Sequence, residues 1–334
     1  MRAWPLLKEL ILATSIILLL LLAMYSATGN SPPVVVVESD SMMHDPDGQI
    51  GAIDAGDLIL VHSPNSRKII TYAEALELAT DSKIYESHGL PGDVIVYDKN
   101  GEDKTPIIHR AIMYARANLT ETPDRDNNSC INGNYDKFLI DSTDSQLGSC
   151  ILTWDVAGTT IRNSTKISWE FTKYRCDLTD NGAHAQYLRI IDWIPDHEGY
   201  LTLGDNNNCN VDQGGSATNN TTGGGLSDAS GKRVQAVSKE WLEGIAGGEI
   251  PWFGSIKLMT LGATSSSSPG TTYIPSKTWF SLTFTIATLL MLPVIIEPLV
   301  NRFLEKSPEM KSYSQESKEN ELKNKKIDEI GESE

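Results

Sequence analysis

Leu10 to Ala27 is an almost unbroken run of Leu, Ile, Ala, Thr and Ser, and it limits what the rest of the chain can be. As a helix the run rises about 27 Å, enough to cross or nearly cross a hydrocarbon core. Arg2 and Lys8 precede it, which keeps the N-terminus in the cytoplasm and sends the following chain out. A cleaved signal peptide would need a small residue at −3 for a cut after Ala27. Tyr25 stands there, so the run reads as an uncleaved anchor. A second apolar run, Thr278 to Ile296, is entered by Lys277 and Trp279 and left near Glu297 and Arg302. The expected layout is therefore a cytoplasmic segment 1–9, a transmembrane helix 10–27, an extracytoplasmic domain 28–277 and a transmembrane helix 278–296. A charged tail, 297–334, follows in the cytoplasm and reads as disordered.

The exported segment is strongly acidic. The chain has a formal net charge of −16, and Thr28 to Lys277 holds 19 basic against 33 acidic residues. No basic block exists to neutralise phosphates, which excludes a nucleic-acid partner. The acidity reads as a solubilising or salt-tolerant surface. Cys130, Cys150, Cys176 and Cys209 form no CxxC pair, which argues against a zinc site or a thioredoxin-like motif. Outside the cytosol their even number points to up to two disulfides, with three connectivities open. Sequons at Asn118, Asn127, Asn163, Asn219 and Asn220 fit export.

Short β-branched runs behind turn residues predict strands. They are Val34–Val37, Leu58–Val61 after Gly56-Asp57, Val94–Tyr97 after Gly92-Asp93, Ile107–Ile112, and Tyr200–Leu203. Thr71–Thr80 reads as a short helix, Lys137–Ile140 and Lys166–Lys173 as short strands, and Val234–Val237 and Ile250–Leu258 as closing strands. Gly214–Gly225 reads as a flexible loop. Residues 118–189, polar and carrying three of the four cysteines, read as an elaboration on the domain surface.

The first strand runs into Ser39 and Ser41. Alternate positions on an extended chain share a face, so the two hydroxyls point at one place. Serine needs a base to become a nucleophile, and neutral histidine suits that task; His109 sits mid-strand in Ile-Ile-His-Arg. An aspartate would orient the histidine, and Asp205 and Asp212 both stand on the Asn-rich loop after Leu203. The Ser41 backbone N–H and the Ser39 hydroxyl are the candidate oxyanion donors. Lys99 and Lys104 leave a Ser-Lys arrangement open. The aspartate loop lacks the alternation and closing Glu of an EF-hand.

Val-Glu-Ser-Asp-Ser-Met-Met, Gly-Asp-Val-Ile-Val-Tyr, Ile-Ile-His-Arg and Gly-Asp-Asn-Asn follow one another in this order behind the anchor. The set resembles type I signal peptidases, in the archaeal and endoplasmic-reticulum branch that carries His where the bacterial branch has a catalytic lysine. The resemblance implies a mainly β catalytic domain of antiparallel sheets held by two transmembrane helices. It implies Ser41 as nucleophile, Ser39 at the oxyanion hole, His109 as general base and an aspartate of the last box as triad partner, with Asp212 at the family's preferred position and Asp205 still open. The substrate would be a secretory preprotein, cut after small residues at −3 and −1, lying extended along Val35, Val36, Val37 and Met42 by strand addition. The other partners would be the lipid bilayer and translocon or accessory subunits, with no cofactor and no metal. His44 stands where the family usually has proline, and the Asp205–Asp212 gap is one residue longer than usual. The rival readings are a silent preprotein-binding or translocation scaffold and a two-anchor glycosylated envelope protein.

Overall fold

The structure is a computed structural model that describes residues 4–80, 83–102, 104–121, 134–136, 149–175, 187–218, 224–262 and 270–306. Helix α1 is Trp4–Thr28. Strands β1 (Val34–Val36) and β2 (Leu58–His62) precede the short helix α2 (Tyr72–Glu77). Then come β3 (Glu86–Ser87), β4 (Leu90–Pro91), β5 (Val94–Tyr97), β6 (Ile107–Glu121), β7 (Asn134–Asp136), β8 (Ser149–Val156), β9 (Ile167–Arg175), β10 (Tyr187–Trp193) and β11 (Gly199–Leu203). The helical turn α3 (Gly215–Thr218), β12 (Leu242–Ile250), α4 (Gly254–Gly262) and α5 (Ser276–Lys306) complete the order. Two units result, Met1–Thr278 and Trp279–Glu334. The described part of the second is the body of α5, which carries Pro293 and Pro298 inside the helix and stacks Phe280 on Phe284.

Within the first unit an eight-stranded sheet runs β1-β2-β12-β5-β6-β8-β7, with β11 also on β6. The named pairings are antiparallel, and β9 and β10 form a separate two-stranded sheet. Among the described residues helix and strand each make up 29%, and the sheets do not close. The expected mainly β, signal-peptidase-like architecture is therefore replaced by a mixed α/β one. The difference comes largely from α1 and α5, with 25 and 31 residues, supplemented by α2 and α4. The architecture thus gives no support to the protease and signal-peptidase labels that the resemblance carried, nor to its archaeal-type assignment. A general membrane character is what it supports.

Two helical stretches, Leu10–Thr28 and Ser276–Pro298, are long and apolar enough to cross a membrane, with mean hydropathies of 2.4 and 2.0. They are almost wholly exposed, as a lipid-facing helix would be and a core helix would not.

Local chemistry explains several elements. Thr71 caps α2 in a reciprocal capping box with Glu74. Gly92 has φ +80°, and a Cβ there would lie 2.5 Å from the Tyr72 amide nitrogen, so only glycine fits. Asp93, fully buried beside it, takes both terminal nitrogens of Arg67 at 2.7 Å, the Tyr85 hydroxyl at 2.6 Å and the Ile70 amide at 2.7 Å. The Gly-Asp box thereby ties α2 to the start of β5.

Three departures from the sequence reading stand out. Ile250–Leu258 is no strand: β12 ends at Ile250 and α4 begins at Gly254. Val234–Val237 reaches the sheet only through the bridge of Val237 to Tyr200. The 118–189 segment is more than a surface elaboration where it is described. Its β8 joins the main sheet beside β6, and Trp154, Phe171 and Leu188, with Ile190 and Trp193 just beyond, fill the largest core cluster with Ile112, Met113 and Leu203. The strand expected at Lys137–Ile140 lies outside the described residues, and part of the loop expected at Gly214–Gly225 is the turn α3.

Candidate active site

Ser41 leaves β1 on a short turn closed by the Met43 amide on the Asp40 carbonyl. That turn is fastened to the loop after β11. The Asn206 amide donates to the Ser41 carbonyl at 2.8 Å, and the Asn206 side chain donates to the Asp40 carbonyl at 3.1 Å. Met42, 1% exposed, anchors the turn from below in a cluster with Val37, Ile53, Ile59 and Val94.

His109 comes from the middle of β6, opposite Ile95 of β5, and is 4% exposed. Its Nε2 lies 2.9 Å from Ser41 Oγ. Its Nδ1 lies 2.9 and 2.8 Å from the two oxygens of Asp212. Serine, histidine and aspartate, 171 residues apart at the extremes, thus stand in one hydrogen-bonded line. Gly204 makes room for it: a Cβ there would lie 2.8 Å from His109 Nε2 and 2.7 Å from the Ser41 carbonyl. Ser39 Oγ sits 3.2 Å from Ser41 Oγ, on the same side as the sequence spacing requires.

The two aspartates left open by the sequence separate. Asp212 faces His109. Burial pushes its carboxyl up, but the His109 charge and the hydrogen bonds from His109 and Tyr97 outweigh that and hold it below the usual range. Asp205, fully buried, instead takes the fork of Arg110, Nε at 2.8 Å and Nη2 at 2.6 Å, and His44 Nε2 at 2.8 Å. Burial again pushes up, and the Arg110 charge and hydrogen bonds with His44 bring the Asp205 carboxyl well below its ordinary value. Arg110 also donates to the carbonyls of Ser87, Leu90 and Gly92, so Asp205 couples the β3–β4 hairpin to the aspartate loop.

The His44 side chain thus ties the Ser41 turn to Asp205. Arg110 was visible as the partner letter of His109 but not as the ligand of Asp205. Tyr97, which reaches Asp212 from behind, and Thr202, which reaches Tyr97, carried no signal beyond their places in the predicted strands.

Of the residues expected along the substrate, Val35 and Val36 are half-buried on β1, the edge of the sheet order. Val37 and Met42 are core side chains, 2% and 1% exposed, so they offer a peptide no side-chain surface. Lys104 pairs with Glu102 at 3.9 Å. Cys209 is disulfide-bonded. Among the described residues no group of three or more His, Cys, Asp or Glu is arranged to hold a metal ion. No family model, no curated protein and no solved structure matches the chain.

Proposed function

We propose that this protein is a membrane-bound serine endopeptidase that removes N-terminal signal peptides from exported preproteins on the outer face of the membrane. The observation that carries this reading is the Ser41–His109–Asp212 line, with 2.9 Å from nucleophile to base and 2.8 Å from base to carboxylate. In the reaction, Ser41 Oγ attacks the scissile carbonyl as its proton passes to His109 Nε2. Asp212 holds the imidazole with Nδ1–H inward and stabilises the imidazolium. The Ser41 backbone N–H and the Ser39 hydroxyl receive the oxyanion. The C–N bond then breaks and the leaving amine takes the proton from His109. Water, deprotonated by His109, opens the acyl-enzyme, and the proton returns to Ser41. The choice of substrate rests on the ordered sequence motifs and the two membrane-length helices, not on the fold. Enzyme and signal peptide confined to one thin layer would need little intrinsic affinity.

A scaffold that binds preproteins without cutting them, or a two-anchor glycosylated envelope protein, is the second reading. The exposed membrane-length helices suit it as well. The test is incubation of a preprotein bearing alanine at −3 and −1 with the detergent-solubilised protein and with its His109→Ala variant. A single cut after the −1 alanine, lost in the variant, supports the peptidase. Stable binding of the preprotein by both, with no cut, supports the scaffold.

A further inference from the structure

Behind Asp212 the line of hydrogen bonds continues. Tyr97, at the end of β5, is fully buried, and its hydroxyl donates to Asp212 Oδ2 at 2.7 Å. Thr202 Oγ1 on β11 donates to the Tyr97 oxygen at 3.2 Å, and Gln213 Nε2 donates to Thr202 Oγ1 at 3.3 Å. Gln213 is itself fixed, because its Oε1 accepts from the Thr202 amide at 3.1 Å and its Nε2 also reaches the Gln235 carbonyl. The Asp212 amide closes the circuit on the Thr202 carbonyl at 3.0 Å.

Counting protons fixes the sense of the whole chain. An ionised carboxylate only accepts, so Tyr97 gives its single proton to Asp212, and its oxygen is left to accept from Thr202. The carboxylate, already an acceptor from Tyr97, is an acceptor again toward His109, which places the imidazole proton on Nδ1. Nε2 is left with a lone pair facing Ser41 Oγ, the arrangement a general base needs.

We propose that Tyr97 is a positioning residue for the reaction: its hydroxyl, polarised by Thr202 and Gln213, orients Asp212 and thereby sets the tautomer of His109. This rests on the reading of Ser41, His109 and Asp212 as a reacting centre, and it extends that reading to a residue that touches no substrate. The hydroxyl also draws negative charge away from the face of Asp212 that meets the imidazole. Losing it concentrates that charge on His109, so the base stays protonated to higher pH.

The test uses Tyr97→Phe, which keeps the ring and removes only the oxygen, with Thr202→Val as a second variant. Ser41 is titrated with a fluorophosphonate probe across pH 5–9 in the full-length, detergent-solubilised protein, and cleavage of the alanine-bearing preprotein is followed in parallel. Tyr97→Phe should slow labelling of Ser41 about 10-fold near neutrality and lower kcat with KM little changed. Its acid limb should move to higher pH, and Thr202→Val should shift the limb the same way by less. Equal slowing at every pH, with the limb unmoved in both variants, would mean a merely structural tyrosine and overturn the proposal. Labelling of Ser41 without preprotein cleavage would sink the signal-peptide substrate while leaving Tyr97 fully tested. Absence of labelling in the wild type would overturn both.

Discussion

Asp212 meets the imidazole of His109 with both carboxylate oxygens at 2.8–2.9 Å, while Asp205, seven residues earlier on the same loop, is gripped by Arg110 at 2.6 and 2.8 Å. The same residue type at two positions of one loop thus faces two different tasks. Asp212→Asn should leave the protein folded and lower kcat about 10⁴-fold, because the amide favours the wrong tautomer of His109. Asp205→Asn should instead lose about 3 kcal/mol of stability by leaving a buried guanidinium short of its charge partner. Steady-state cleavage and thermal unfolding of the two variants side by side check this. Equal effects of both on both readouts would contradict it.

Gly204 permits the close approach of the aspartate loop to the nucleophile. Gly204→Ala puts a methyl 2.8 Å from His109 Nε2 and 2.7 Å from the Ser41 carbonyl, so one of them must move. A displacement near 1 Å at a reacting pair costs on the order of 100-fold in rate. The expected result is a folded protein with kcat down by about that factor. Near-normal turnover would show that the gap between Ser41 and His109 tolerates the methyl.

Ser39→Ala removes a hydroxyl 3.2 Å from Ser41 Oγ. If that hydroxyl holds the oxyanion, kcat should fall about 100-fold with KM unchanged. A rise in KM alone would assign Ser39 to substrate binding instead.

Shifted groups of opposite sign set the pH dependence of stability. Burial raises the Asp54 carboxyl to about 6 and the Glu249 carboxyl to about 7, and Asp57 adds like-charge repulsion to both. A group raised in the folded state stabilises fully below its unfolded value, and that contribution is lost as pH climbs through the folded one. Asp205 and Asp212 are lowered, so their contribution is present above the ordinary carboxylate range and is lost as pH falls below it. His88, held down to about 4 by burial, pulls the other way up to its ordinary value of 6.5, so the Tm should decline above pH 6.5 toward pH 8, and Glu249→Gln should flatten that decline. A Tm that rises over this range would contradict the assignment.

Much of the site was legible because its chemistry is local. Ser39 and Ser41 share a face by the period of an extended chain, and the strand around His109 is β-branched and bounded by turn residues. The α2 helix announces itself by Thr71 and Glu74. What was hidden depends on distant partners. Asp205 and Asp212 look alike in sequence, and only Arg110, 95 residues before Asp205, tells them apart. β12 was missed because Leu-Glu-Gly-Ile-Ala-Gly-Gly-Glu-Ile has three glycines and no alternation, yet it fits between β2 and β5, where Gly244 has no room for a Cβ against the His62 carbonyl. The apolar letters of Ile256, Leu258 and Met259 suit a helix or a strand equally over so short a run, and α4 takes the helix. The mixed fold class is hidden in the sequence because the two long terminal helices read as anchors, and the strands between them alone suggest a β class.

The most direct measurement is intact-mass and peptide-map analysis of the full-length protein after reaction with a fluorophosphonate. The wild type, Ser41→Ala, His109→Ala and an exposed-serine control, Ser66→Ala, would be compared. The Ser41–His109–Asp212 account predicts one adduct per chain, on Ser41, formed by the wild type and the control. It predicts none on Ser41→Ala and labelling slowed by orders of magnitude in His109→Ala. An unmodified wild type, or an adduct that persists at the same rate without His109, would contradict it.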